Sequence, residues 1–168
     1  GGKLTCTFPA MTGQCPMYYN APKTGRPGSK SKFTSRYLDA PVEPLYPFGY
    51  GLSYTEFAYS DMDIRETDNS LEISVVLKNT GKRDGAEAVQ LYMQDAAASI
   101  VRPVKELKGF SKEYLKAGES REILFTLPKS QMGFYDEEAE YHLEDGRFIL
   151  YVGGNSRDCL EQEINICF

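Results

Sequence analysis

The sequence predicts a mainly β protein: an antiparallel β-sandwich over residues 54–168, preceded by a Pro/Gly-rich extended segment over residues 1–53. Three observations carry that reading. Apolar residues recur at every second position in short runs, turn-forming residues separate those runs, and no stretch holds a helical apolar stripe longer than a turn or two. Length and composition agree, since 168 residues with 41% hydrophobic and 26% charged side chains can bury a core without a metal or a disulfide frame.

The elements follow in order. Gly and Pro supply 14 of the first 53 residues and only 10 of the remaining 115, which sets the boundary near Tyr54. Pro fixes φ and lacks an N–H, so Ala21 to Lys32, with its Pro-Lys-Thr-Gly-Arg-Pro-Gly core, reads as a long loop. Short extended pieces are expected only around Leu4–Phe8 and Met17–Tyr19. After Tyr54, Phe57, Tyr59, Met62 and Ile64 mark an extended run whose broken spacing suggests a bulge. Leu71, Ile73, Val75 and Leu77 then alternate with Glu72, Ser74, Val76 and Lys78 as a half-buried strand. The turn Asn79-Thr-Gly-Lys-Arg-Asp-Gly follows, where Asn and Gly accept positive φ. Further strands are expected at Ala88–Tyr92, Glu106–Tyr114, Glu119–Leu127, Phe134–Tyr135 with Glu140–Leu143, Arg147–Val152 and Glu161–Phe168, with Ser130–Met132 the one short helical candidate. Seven or eight short strands with regular turns describe a sandwich of immunoglobulin or fibronectin type III kind.

Charge excludes one class of partner. The formal net charge of −5 is the wrong sign for gripping phosphate backbones, so nucleic acid is not expected. Residues 1–53 carry six Lys/Arg against two acids, +4, and residues 54–168 carry thirteen against twenty-two, −9. No apolar run approaches the ~20 residues of a membrane helix, and the stretch from Gly1 onward does not read as a secretion signal. Cys6, Cys15, Cys159 and Cys167 form no CxxC and no Cys/His pair with the one histidine, His142, which argues against a zinc site. A Cys159–Cys167 bridge is weighed against free buried thiols, and free thiols are favoured. With no Asn-x-Ser/Thr acceptor, the balance leans to the cytoplasm.

Several motifs resemble one family. Pro44-Leu-Tyr-Pro-Phe-Gly-Tyr-Gly-Leu-Ser-Tyr54 resembles a signature near the C-terminus of family 3 glycoside hydrolases. Upstream, Gly2-Lys-Leu-Thr-Cys-Thr-Phe-Pro9 and Gly13-Gln-Cys-Pro-Met-Tyr-Tyr-Asn20 are similar to the family's approach to it, with Thr5 where proline is frequent. Downstream, Asn79-Thr-Gly-Lys-Arg-Asp-Gly-Ala-Glu-Ala-Val-Gln-Leu-Tyr92 and Arg102-Pro-Val-Lys-Glu-Leu-Lys-Gly-Phe110 resemble the fibronectin type III-like domain that closes many such enzymes. The resemblance implies that residues 1–53 are the tail of a preceding α/β sandwich domain plus linker, and residues 54–168 the accessory sandwich. It implies a non-catalytic C-terminal fragment of a retaining β-glucosidase-like enzyme, with a structural role. Retaining hydrolysis needs two carboxylates ~5–5.5 Å apart, and the resemblance places both upstream of Gly1. No catalytic, cofactor or metal residue is therefore carried over. The implied partners are the catalytic domains of the parent chain, with a β-linked saccharide as the parent's substrate and a homo-oligomer left open. The alternative is an independent carbohydrate-binding module.

Several residues admit two readings each. Asp136 to Asp145 gathers six carboxylates and His142, and reads as a solvated loop and edge strand rather than a calcium or acid/base site. Tyr46, Phe48, Tyr50 and Tyr54 are expected to pin a crossing segment by burying ring area, with a sugar-stacking platform as the sharper alternative. Tyr18 and Tyr19 carry the same choice. Arg26, Lys30, Lys32 and Arg36 read as a solvated basic loop, or as one lying over the parent's sugar cleft. Cut off from the sheet it should complete, the segment with Leu4, Phe8 and Met17 is expected to be poorly ordered, swapped between chains or packed on the sandwich.

Overall fold

Period-two alternation becomes nine strands in a computed structural model that describes residues 2–25, 34, 37 and 41–168. They are β1 (Phe57–Glu66), β2 (Ser70–Asn79), β3 (Gly85–Asp95), β4 (Glu106–Leu115), β5 (Ser120–Pro128), β6 (Phe134–Tyr135), β7 (Tyr141–His142), β8 (Gly146–Gly153) and β9 (Cys159–Ile166). One sheet has the order β1-β2-β5 and the facing sheet β4-β3-β8-β9, all antiparallel, while β6 and β7 pair as a small separate hairpin.

Strand β2 shows why the sheets stack. Leu71, Ile73, Val75 and Leu77 point inward and have no exposed surface. Against them lie Val89, Leu91 and Met93 of β3 and Phe148, Leu150 and Val152 of β8 in one continuous core. Each such side chain contributes about 1.5–3 kcal/mol on leaving water. The broken spacing in β1 has the expected cause: the register with β2 slips between Ser60 and Asp63, and Asp61 takes φ 51°. The bulge lets Tyr59 and Met62, three apart, both pack on the core.

The short helical candidate at Ser130–Met132 is present as a 3₁₀ turn over Lys129–Gln131, one residue earlier. Of the short extended pieces expected around Leu4–Phe8 and Met17–Tyr19, neither belongs to a strand, and the first makes one antiparallel bridge, Phe8 to Tyr46. Other expectations need correction. A 3₁₀ turn over Thr12–Gln14 was not foreseen. All four cysteines are free thiols, but Cys6, Cys15 and Cys167 are exposed rather than buried. Only Cys159 is partly covered, and burial raises its thiol to about 11. Among the described residues no helix is long and apolar enough to cross a membrane.

The turn after β2 works differently from the positive-φ turn that Asn and Gly suggested. Neither Asn79 nor Gly81 adopts positive φ. Instead the fully buried Asn79 side chain is a polar staple. Its Nδ2 donates to the carbonyls of Arg83 (2.8 Å) and Leu115 (3.2 Å), and its Oδ1 accepts from Thr55 Oγ1 (2.7 Å) and the Gly81 amide (3.1 Å). Gly81 is required for closeness, since a Cβ there would overlap Thr55 Oγ1. Asn79→Ala removes all four bonds and strands buried backbone groups, so urea unfolding should show a loss of about 2–4 kcal/mol.

Candidate docking interface

A strand in a two-layer sandwich ordinarily buries one face, but β3 buries both. Its outward residues Gln90 and Tyr92 are as enclosed as its inward ones. What covers them is the described part of residues 2–53.

The cover is fastened through the Gln90 amide. Nε2 donates to the carbonyls of Gly154 (2.7 Å) and Gly49 (3.2 Å), and Oε1 accepts the Tyr92 hydroxyl (2.5 Å). Gly49 sits at φ 78°, and a Cβ on it would overlap the Gln90 side chain. Both facts require glycine there. From this point the backbone ties back to the start of the chain: the Gly49 amide donates to the Leu4 carbonyl, and the Leu4 amide to the Tyr50 carbonyl, each at 2.8 Å. Phe8 and Tyr46 exchange two further bonds, and the Ser156 amide donates to the Phe48 carbonyl at 2.9 Å.

Rings and charges complete the fastening. Tyr19 stacks on Phe48 with centroids 4.1 Å apart, and both meet Tyr92 edge-on. Burial pushes the Tyr92 phenol above its ordinary pKa, so it stays a neutral donor to Gln90. Lys3 Nζ lies 2.7 Å from Glu87 Oε1, which also accepts the Tyr59 hydroxyl at 3.0 Å. Burial first, then the Glu87 charge, raise the Tyr59 phenol. Lys105 Nζ sits 3.8 Å from the Tyr151 ring centroid and donates to the Ser156 carbonyl at 2.8 Å; desolvation lowers its pKa.

Gln14 is the residue the sequence did not flag. Its Oε1 accepts the amides of Ala10 (2.5 Å) and Met11 (3.3 Å), while Nε2 donates to the carbonyls of Pro41 (2.8 Å) and Glu43 (3.4 Å). One buried amide thus joins two parts of the segment. A lone Gln between Gly13 and Cys15 has no periodicity that could have marked it.

The aromatic expectation divides. Phe48 is sandwiched as expected, and Tyr46 and Tyr50 stack on each other at 4.9 Å. Tyr54 is 92% exposed and pins nothing, because it lies beyond the last contact with Gln90 and before β1. Tyr19 packs, whereas Tyr18 is exposed. A cleft of about 550 Å³ is lined by Tyr18, Tyr19, Lys23, Glu43, Lys105 and Arg157 among others. Arg26, Lys30, Lys32 and Arg36 lie outside the described residues.

The acidic stretch is a set of staples. Asp136 Oδ1 accepts the amides of Glu138 and Glu140, which with His142 holds its carboxyl below the usual range. Glu144 accepts Ser99 Oγ and the Ser99 amide, and Asp145 accepts the Phe168 amide. His142 Nε2 bonds Asp136 Oδ2, and its ring lies 5.9 Å from that of Phe134. Asp136, Glu140 and His142 place one ligand atom each within 4.8 Å of one another. The Asp136 and His142 atoms are already engaged, with each other and, for the Asp136 carboxylate, with the backbone amides of Glu138 and Glu140. Arg102 is buried between Glu106, 2.7 Å from its Nη2, and the Phe134 ring. Burial alone would raise the Glu106 carboxyl, but hydrogen bonds from Lys108 and Arg102 prevail and lower it.

Residues 87–156 match the model of the fibronectin type III-like domain. The chain is 44% identical over 162 residues to a periplasmic β-glucosidase of Salmonella typhimurium, covering 92% of this chain and 21% of that protein. It is 43% identical over 171 residues to thermostable β-glucosidase B of Acetivibrio thermocellus, covering 96% and 23%. The crystal structure of a β-glucosidase from Listeria innocua in complex with glucose superposes with a TM-score of 0.91 at 42% identity, over 98% of this chain and 24% of that one. The chain therefore spans about a fifth to a quarter of the length of these relatives.

Two outcomes follow from the geometry. Gly49→Ala forces a left-handed alanine into the Gln90 side chain and should cost about 2–4 kcal/mol in urea unfolding, with hydrogen exchange rising first across residues 2–20. Titration with Zn²⁺ should leave the Tm unchanged, because the Asp136–His142 pair satisfies itself; a rise in Tm abolished by His142→Ala would make the hairpin a metal site.

Proposed function

The chain belongs to the C-terminal portion of the family 3 glycoside hydrolases, and from that premise we propose that it is a non-catalytic brace for a larger β-glucosidase-like enzyme. Residues 54–168 form the accessory sandwich. Residues 1–53 are the tail of the preceding α/β sandwich domain plus linker, and they tie the sandwich to the catalytic body.

The observation that supports this reading is the fastening through Gln90 and Gly49. A free tether would leave the sandwich to wander, whereas this segment is held by buried hydrogen bonds, stacked rings and an ion pair. Preorganisation of this kind removes the ordering entropy that docking would otherwise cost. The partner is the parent's own N-terminal catalytic part, and the substrate of that part is a terminal β-D-glucosyl or similar residue. No cofactor or metal is assigned, and the four unpaired thiols suit a reducing compartment, the cytoplasm.

The chain alone should show no hydrolysis of an aryl β-glucoside, and deletion of residues 54–168 from the full-length enzyme should lower its Tm and its activity together. Efficient hydrolysis by the purified 168-residue chain, or full stability and activity of the deletion variant, would overturn the proposal. A heat of binding to cello-oligosaccharides with no stabilising effect on the parent would instead support an independent carbohydrate-binding module.

A further inference from the structure

The cleft of about 550 Å³ beside Tyr18 plays no part in the fastening, and its size is that of a small-molecule site. It forms where the chain at Thr7, Tyr18 and Pro44 meets Gln94 near the end of β3, Lys105 just before β4 and Ser156 between β8 and β9. Its walls are mostly apolar, with Val42, Pro44, Pro47 and Val104 among them. The polar groups are few, and what most of them have in common is that they donate.

Lys105 Nζ gives one N–H to the Ser156 carbonyl at 2.8 Å and faces the Tyr151 ring, and it pairs with no carboxylate among the described residues. Asp158 and Glu161 act on it only from further off. A half-buried ammonium without a counterion gains from any anion brought beside it. Gln94 Oε1 accepts the Tyr151 hydroxyl at 2.7 Å, which orients the amide and leaves Nε2 as its unspent end. Thr7 Oγ1, in the wall of the cleft, is a buried hydroxyl with no partner. Lys23 is exposed and forms no ion pair among the described residues, while Arg157 already leans on Asp158 at 3.3 Å. Against these donors stands one carboxylate in the lining, Glu43.

Unspent donors select a ligand that is rich in acceptors and negatively charged. The apolar walls select against a bare inorganic anion and for a molecule with C–H faces, to which the 67% exposed Tyr18 offers a ring. Glu43 suits a ligand that also has hydroxyl hydrogens to give. A sugar acid meets all three demands. We propose that this cleft is a binding site for a uronic acid, its carboxylate taken by Lys105 and Lys23, its pyranose face laid on the tyrosine and proline surface, and its hydroxyls bonded to Gln94, Thr7 and Glu43. The site is built wholly from residues of this chain, so it stands or falls independently of the bracing role.

Acetic anhydride labelling of the full-length protein, read by mass spectrometry with and without D-glucuronate, tests the site without altering any residue. Glucuronate should protect Lys105 and Lys23 and leave Lys116, exposed just after β4, labelled as before. Labelling of Lys105 and Lys23 that glucuronate does not change overturns the proposal. D-Glucose and benzoate, at the same concentration, separate the two halves of the ligand, and neither should protect as glucuronate does. Equal protection by benzoate would make this a site for any apolar carboxylate, and equal protection by glucose a neutral sugar site; either result overturns the uronate assignment. In calorimetry, Lys105→Gln should weaken glucuronate binding at these lysines by about tenfold, the loss of one charge-assisted hydrogen bond, and Lys105→Arg should retain most of it. Unaltered binding by a folded Lys105→Gln protein likewise refutes the site.

Discussion

The structure depends on one buried primary amide. Gln90 sits on the outer face of β3, where an apolar residue could have closed the site by area alone, and it uses its amide on three partners instead. A buried amide left unpaired would cost a few kcal/mol, so the site accepts only a chain path that supplies Gly49 and Gly154 carbonyls at the right places. That requirement is directional, as hydrophobic contact is not. It fixes where the crossing segment lies, and through the Leu4 bonds to Gly49 and Tyr50 it fixes the start of the chain as well.

From that point the burial pattern of β3 follows. Its inward residues Val89, Leu91 and Met93 join the core between the sheets, while Gln90 and Tyr92 are sealed by Phe48 and Tyr19. The polar ends are neutralised in place, Glu87 by Lys3 and Tyr59. Breaking Lys3 from Glu87 would leave a nearly buried carboxylate facing a phenol that burial keeps protonated, which is costlier than the ion pair is worth as attraction. The segment is consequently held by groups that cannot be satisfied without it.

Much of this fold was legible because it obeys a period. Every strand after Tyr54 was readable from alternation, and even the bulge in β1 was visible as the three-residue step from Tyr59 to Met62. The family resemblance lay in the run from Pro44 to Tyr54, whose Gly49 proves to be a contact made possible by a missing Cβ. What escaped was aperiodic. Gln14 and Asn79 act by hydrogen bonds to backbone groups distant in sequence, and such partners leave no trace in spacing. The thiols are free as expected, but Cys6, Cys15 and Cys167 are exposed, because a general tendency toward burial yields to where the chain runs. In the acidic stretch the count of carboxylates is legible but their direction is not, and direction is what lets Asp136 and Glu144 accept the backbone amides of Glu140 and Ser99.

A segment of about 50 residues acting as a free linker would have a root-mean-square span of about 40 Å, enough for the sandwich to sample many poses against whatever precedes it. The fastening removes that freedom. Once Leu4 is bonded to Gly49 and Tyr50, and Gly49 to Gln90, the chain enters at a fixed point and heading relative to β3. Rigid placement of this kind meets the ordering cost within the module itself. The surface shared by the start of the chain and β4, where Leu4 and Phe48 lie beside Phe110, exists only when the segment is seated, so losing the Gln90 contacts would dismantle it.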